Sequence, residues 1–65
     1  MVIIKRDGRK ILFYRTGEDD WFFGCRIESK DDVQSVIKRQ GFNPWFTTQL
    51  QNEFYDICKK LISES

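Results

Sequence analysis

Histidine is absent from this chain, and with it the side chain that most often acts as a general base near neutral pH. Cys25 and Cys58 are then the only soft metal donors, too few to close a tetrahedral zinc site within one chain. No Gly-rich phosphate loop and no nucleophile motif is present. Enzyme activity is therefore not expected, and neither a cofactor nor a bound metal is. Glu18, Asp19 and Asp20 form the longest run of acids. Hard cations take several carboxylate oxygens, but three consecutive acids in a turn read as a solvated loop. No run approaches the ~20 apolar residues of a membrane span. The first residues read directly as a strand, not as a signal peptide. A soluble, cytoplasmic protein with reduced, buried cysteines is the expectation.

Net charge is small, at +1, but the charged residues are segregated. Residues 1–16 carry net +4, residues 17–32 net −4, and the remainder +1. Little net charge argues against a simple polyanion binder, and the segregation points to directional electrostatics.

The chain is rich in aromatics. Its 65 residues form one domain, 1–65, and a chain of this size buries only about 60% of its unfolded surface. Six Phe, two Trp and two Tyr are how so small a core reaches useful stability. Met1 to Arg6 and Arg9 to Arg15 are strand-like, rich in Ile, Val, Phe and Tyr. Thr16-Gly17-Glu18-Asp19-Asp20 is turn chemistry, and Trp21 to Ile27 is a third strand. Ser29 with Asp32 three residues on is a variant capping box, followed by an apolar face of Val33, Val36 and Ile37 that Gly41 terminates as a C′ residue. Asn43-Pro44 is expected to open a second helix, in which Phe46, Leu50, Phe54, Ile57 and Leu61 recur at intervals of 4, 4, 3 and 4. The fold class is α+β: a three-stranded antiparallel β-meander followed by two α-helices packed on one face (β-β-β-α-α).

Lys5-Arg6-Asp7-Gly8-Arg9-Lys10 is the most distinctive run. An Asp7-Gly8 turn would set Arg6 opposite Arg9 and Lys5 opposite Lys10. Like charges facing each other across strands are destabilising, so such a tip suits something negative, either another molecule or an acidic patch of the same chain. Arg15 facing Asp20 across the second turn would place Tyr14 opposite Trp21, Phe13 opposite Phe22 and Leu12 opposite Phe23. One face then holds Ile3, Leu12, Tyr14, Trp21, Phe23, Cys25 and Ile27, the heavier apolar load, and is expected to meet the helices. The other holds Val2, Ile4, Ile11, Phe13 and Phe22, ringed by Arg6, Arg9 and Arg26. It is expected to be an exposed patch of the kind that marks interaction sites.

The partner-binding set is therefore Lys5, Arg6, Arg9, Lys10, Phe13, Phe22 and Arg26. Trp45, Tyr55 and Ile62 point away from the second helix's apolar stripe and form a secondary candidate surface, Trp45 being either exposed or folded back on Gln40-Gly41-Phe42. The reading of function is a small non-enzymatic protein that docks on a protein partner as inhibitor, adaptor or regulator. A nucleic-acid binder is the alternative, with Phe13 and Phe22 stacking on bases and the basic groups on phosphates. Self-association, up to a homodimer, is the third reading. Over residues 5 to 40, the three strands and following helix, with the Lys5-Arg6-Asp7-Gly8-Arg9 run in their first hairpin, loosely resemble the arm-binding domains of phage integrases. The second helix lies outside that pattern. In size and lack of catalytic groups the chain resembles the small accessory proteins encoded by phages and mobile elements.

Overall fold

The structure, a computed structural model, describes residues 1–64. Three antiparallel strands, β1 (Val2–Asp7), β2 (Lys10–Arg15) and β3 (Trp21–Arg26), lie in the order β1-β2-β3. Two helices follow, α1 (Lys30–Gln40) and α2 (Thr48–Ser63). The β-β-β-α-α architecture is the one expected. The molecule measures 32 × 24 × 16 Å, and its shortest dimension suits one sheet and one helix layer spaced ~10 Å apart.

The first turn is centred one residue later than expected. Asp7 pairs with Lys10, so Gly8 and Arg9 are the two loop residues. Gly8 has φ 62° and no non-glycine residue among those described has positive φ, the pattern of a type II′ turn with glycine first. Arg6 consequently faces Ile11 and Lys5 faces Leu12. The expected Arg6–Arg9 and Lys5–Lys10 pairs do not form. Each β1 residue meets a β2 residue two positions further on than expected, so the side on which each residue sits is unchanged.

The second correction reverses the sheet. Tyr14 does pair with Trp21, but a β-bulge follows, and Phe23, Gly24 and Cys25 fall opposite Phe13, Leu12 and Ile11. Phe22 is the extra residue. A bulge inserts one residue and moves everything after it to the other side, so Phe23, Cys25 and Ile27 join Ile4, Ile11 and Phe13. That side now carries the larger apolar load, and the helices cover it. Phe13, expected on the exposed patch, is completely buried. Arg15 does not pair with Asp20; it lies opposite Val2, with its guanidinium 4.8 Å from the Phe22 ring centre.

The core comprises Ile11, Phe13, Ile27, Val33, Phe46, Leu50, Phe54, Cys58 and Leu61. Phe13 is its hub, with ring centroids of Phe23, Trp45, Phe46 and Phe54 at 5.5, 5.4, 5.8 and 5.9 Å. Tilted and edge-on ring pairs at this spacing add stabilisation beyond simple area burial.

At the start of α1 the Asp32 carboxylate accepts from the backbone N–H groups of Ser29 at 3.2 Å and Glu28 at 2.8 Å, the reach-back half of a capping box. Gly41 ends this helix at φ −61° rather than in the expected left-handed conformation. A side chain there would collide with the Ile37 carbonyl.

The second helix starts later than Asn43-Pro44. Those residues form a turn instead, closed by the Phe46 N–H donating to the Asn43 carbonyl at 3.0 Å, with proline at its favoured second position. Thr47 is the N-cap, its hydroxyl accepting from the Leu50 N–H at 3.2 Å. The Gln51 amide donates to the carbonyls of Gly41 and Phe46 and ties the turn to the helix. Phe46, Leu50, Phe54 and Leu61 are buried as expected, with Cys58 beside them and Ile57 half-buried.

Candidate functional site

Neither helix covers the outer side of the sheet. In register, it presents Ile3, Lys5 and Asp7 from β1, Lys10, Leu12 and Tyr14 from β2, and Trp21, Gly24 and Arg26 from β3. Trp21 is 55% exposed and Ile3 42%. Large apolar groups left in water side by side mark interaction surfaces more often than scattered ones do.

Gly24 shapes the middle of this face. A Cβ there would lie 2.9 Å from Leu12 Cδ2 and 3.5 Å from the Trp21 ring. The glycine leaves room for the Leu12 side chain, and the Trp21 ring lies within ordinary contact distance of the same spot, so the two apolar groups meet over Gly24 as a platform. Tyr14 sits next to Trp21 across the strands, and the Lys5 ammonium lies 4.9 Å from the Tyr14 ring centre, within cation–π range.

One end of the platform is basic. Lys10 and Arg26 are direct cross-strand partners, a like-charge arrangement that opposes pairing. Glu28 relieves part of it, its carboxylate accepting from Arg26 Nε at 2.7 Å. Among the described residues Lys5 and Lys10 take part in no ion pair. At the other end, the turn joining β2 to β3 carries the exposed acids Asp19 and Asp20. Glu18 instead lines a groove of about 700 Å³ shared with Trp45 and Glu53.

The expected partner-binding set is split by the fold. Lys5, Lys10 and Arg26 come together on the outer face. Arg6 points to the helix side, where its guanidinium donates to both Glu64 oxygens, at 2.6 and 2.8 Å. That pair raises the Arg6 pKa and holds the Glu64 carboxyl below its ordinary value, hydrogen bonding being the larger cause in each. Arg9 also acts on Glu64, and its Nη1 is buried with no hydrogen-bond partner among the described residues. Phe13 is core, and half-buried Phe22 packs edge-on against Trp45 at 5.0 Å. Trp45 neither stands free nor folds back on its own loop; it joins the core aromatics. Tyr55 and Ile62 line a groove of about 370 Å³ between α1 and α2, with Lys30 and Lys59 at its rim.

Ile3, Leu12, Tyr14, Trp21 and Gly24 are the site residues that strand alternation alone missed. The available signal was Trp21-Phe22-Phe23-Gly24: three consecutive aromatics break the apolar–polar alternation of a half-buried strand, and a strand glycine marks a bulge or a close approach. No group of three or more acids or cysteines among the described residues is placed to hold a metal. No helix among them is long and apolar enough to cross a membrane. The chain matches no protein-family model, no curated protein and no solved structure.

Proposed function

We propose that this chain is a non-enzymatic binding protein that docks on another protein through the open face of its sheet. The observation that carries this reading is the apolar Trp21–Gly24–Leu12 platform, in which Trp21 is exposed and Leu12 and Gly24 are half-buried, with exposed Ile3 and half-buried Tyr14 extending it across all three strands. Tryptophan, tyrosine and arginine, here Trp21, Tyr14 and Arg26, are the residue types that most often dominate interface energies. Two free cysteines, Cys58 fully buried, suit a reducing compartment such as the cytoplasm.

A nucleic-acid reading has one observation in its favour: Tyr14 and Trp21 adjoin the cations Lys5, Lys10 and Arg26. Stacking with phosphate contacts is how single strands are held. The charge balance favours protein. Arg6 and Arg15 are engaged elsewhere in the fold, and Asp7 and Glu28 lie among the cations that remain.

A photo-crosslinking residue in place of Leu12 tests the proposal, since position 12 is at the centre of the platform. Illumination in cells should yield a nuclease-resistant adduct with protein, lost when Trp21 is also changed to Ser. Adducts that vanish on nuclease treatment would transfer the reading to nucleic acid. Labelling by solvent alone would end both.

A further inference from the structure

We infer that the protein docked on this face is a second copy of the same chain, turned end for end. The inference rests on the docking reading and names its partner. It comes from the charge arrangement along β2 and β3. These strands end, on one side, in the like-charged pair Lys10–Arg26. On the other side they are joined by the turn that carries Asp19 and Asp20, both exposed. Between them lies the platform of Leu12, Gly24 and Trp21.

A two-fold axis lying in the interface and across the strands superposes platform on platform. It sets the acidic turn of each copy over the Lys10–Arg26 pair of the other. Facing sheets are ~10 Å apart, a gap that a lysine or arginine from one side and a carboxylate from the other together span. The same contact occurs twice, as an isologous interface requires. The alternative axis, running along the strands, would bring Lys10 and Arg26 against their own symmetry mates and is disfavoured by like charge. Within the single chain Asp7 lies opposite Lys10 and Glu28 pairs with Arg26; the arrangement adds the acidic turn of the second copy to these and also reaches Lys5 at the same end.

Footprint sets the expected strength. Three strands ~4.8 Å apart and six residues long at ~3.3 Å per residue cover roughly 14 by 20 Å. That falls short of the ~800 Å² per partner of a standard interface. A weak, reversible dimer of the transient class is expected.

Sedimentation equilibrium at low salt, over micromolar to millimolar chain concentration, tests the inference with two variants. One carries Lys10→Glu and Arg26→Glu, the other Asp19→Lys and Asp20→Lys. Each variant alone should dimerise about tenfold more weakly or worse. An equimolar mixture should recover the wild-type constant within about threefold, because both ends of the mixed dimer are then complementary. All four positions are exposed, and circular dichroism confirms folding of each variant before weighing. A wild-type protein that stays monomeric, or a dimer indifferent to both variants and to their mixture, overturns the inference. In the first case, an adduct at position 12 with a different protein would leave the docking reading standing; absence of any protein adduct would remove that as well.

Discussion

Arg6, near the end of β1, and Glu64, the C-cap of α2, form a two-pronged ion pair across 58 residues of sequence. It joins the hairpin tip to the last turn of the helix layer. Arg6 also donates through Nε to the Gly8 carbonyl at 2.9 Å, so one guanidinium braces both the turn and the helix end. Neutralising the whole tip is therefore not neutral for the fold. A variant with Lys5, Arg6, Arg9 and Lys10 all changed to Gln should melt below wild type, and restoring Arg6 alone should return most of the difference. Equal melting of all three proteins would show that this brace contributes nothing.

The same pair sets an acid sensitivity. Arg6 holds the Glu64 carboxyl below its ordinary value, so the folded state binds that proton less readily than the unfolded chain. The stabilisation is present above the ordinary carboxylate pKa of about 4.3 and disappears as pH falls through the depressed folded value. A double-mutant cycle with Arg6→Gln and Glu64→Gln should show coupling at pH 7 that shrinks in high salt and vanishes near pH 2. Coupling of the same size at both pH values would mean that the contact is not ionic.

Phe13 and Trp21 should respond in opposite ways to truncation. Phe13 is fully buried among four other rings, whereas Trp21 is more than half exposed. Phe13→Ala should cost about 3–5 kcal/mol, enough to unfold a chain of this size whose total stability is about 3–10 kcal/mol. Trp21→Ala should change stability by less than about 1 kcal/mol while removing binding. Urea titrations of both proteins decide the matter. A stable Phe13→Ala protein would place the helices on the wrong side of the sheet.

The bulge at Phe22 separates what was legible in the sequence from what was not. The elements and their order follow from local pattern: alternation in the strands, Asp32 behind Ser29, and the Phe46-to-Leu61 stripe. Which side of the sheet faces water does not, because it turns on one inserted residue in the β2–β3 pairing, and one residue exchanges every later side chain. Arg6 and Glu64 were invisible for another reason: nothing local connects residues 58 apart. Phe13 and Phe22, expected as the exposed aromatics, lie on the helix side, while Lys5, Lys10 and Arg26 lie on the open face. The apolar members of the open face were assigned to the opposite one.

The start of α2 offers a sharper test of local chemistry. Asn43 and Thr47 both precede helix-forming residues, and Thr47 is the one whose hydroxyl caps the helix. Thr47→Ala should cost about 1 kcal/mol. Asn43 serves a different purpose: its amide donates to the Gln40 side chain at 2.6 Å and its carbonyl closes the turn. Asn43→Ala keeps that carbonyl and should cost less than Thr47→Ala. The reverse order in thermal or urea denaturation would return the helix start to Asn43-Pro44.

The two cysteines make stability fall on the alkaline side. Burial pushes the Cys25 thiol from 9.0 to about 11, with Asp32 adding to the shift. Burial likewise raises Cys58 from 9.0 to about 12, with Cys25 as the second cause. A thiol that ionises less readily in the folded state stays protonated there while the unfolded chain loses its proton. The contribution is complete below the unfolded pKa and is lost as pH rises through the folded one. Near pH 10 the loss is about 1.4 kcal/mol per thiol. Lysines and tyrosines titrate in the same region, so the informative quantity is a difference. A Cys25→Ala, Cys58→Ala protein starts less stable at pH 7, having lost buried volume. Its deficit relative to wild type should narrow by roughly 2–3 kcal/mol between pH 7 and pH 10. A constant deficit across that interval would show that both thiols ionise as freely in the folded protein as in the unfolded chain, and that the space between β3 and α2 admits water.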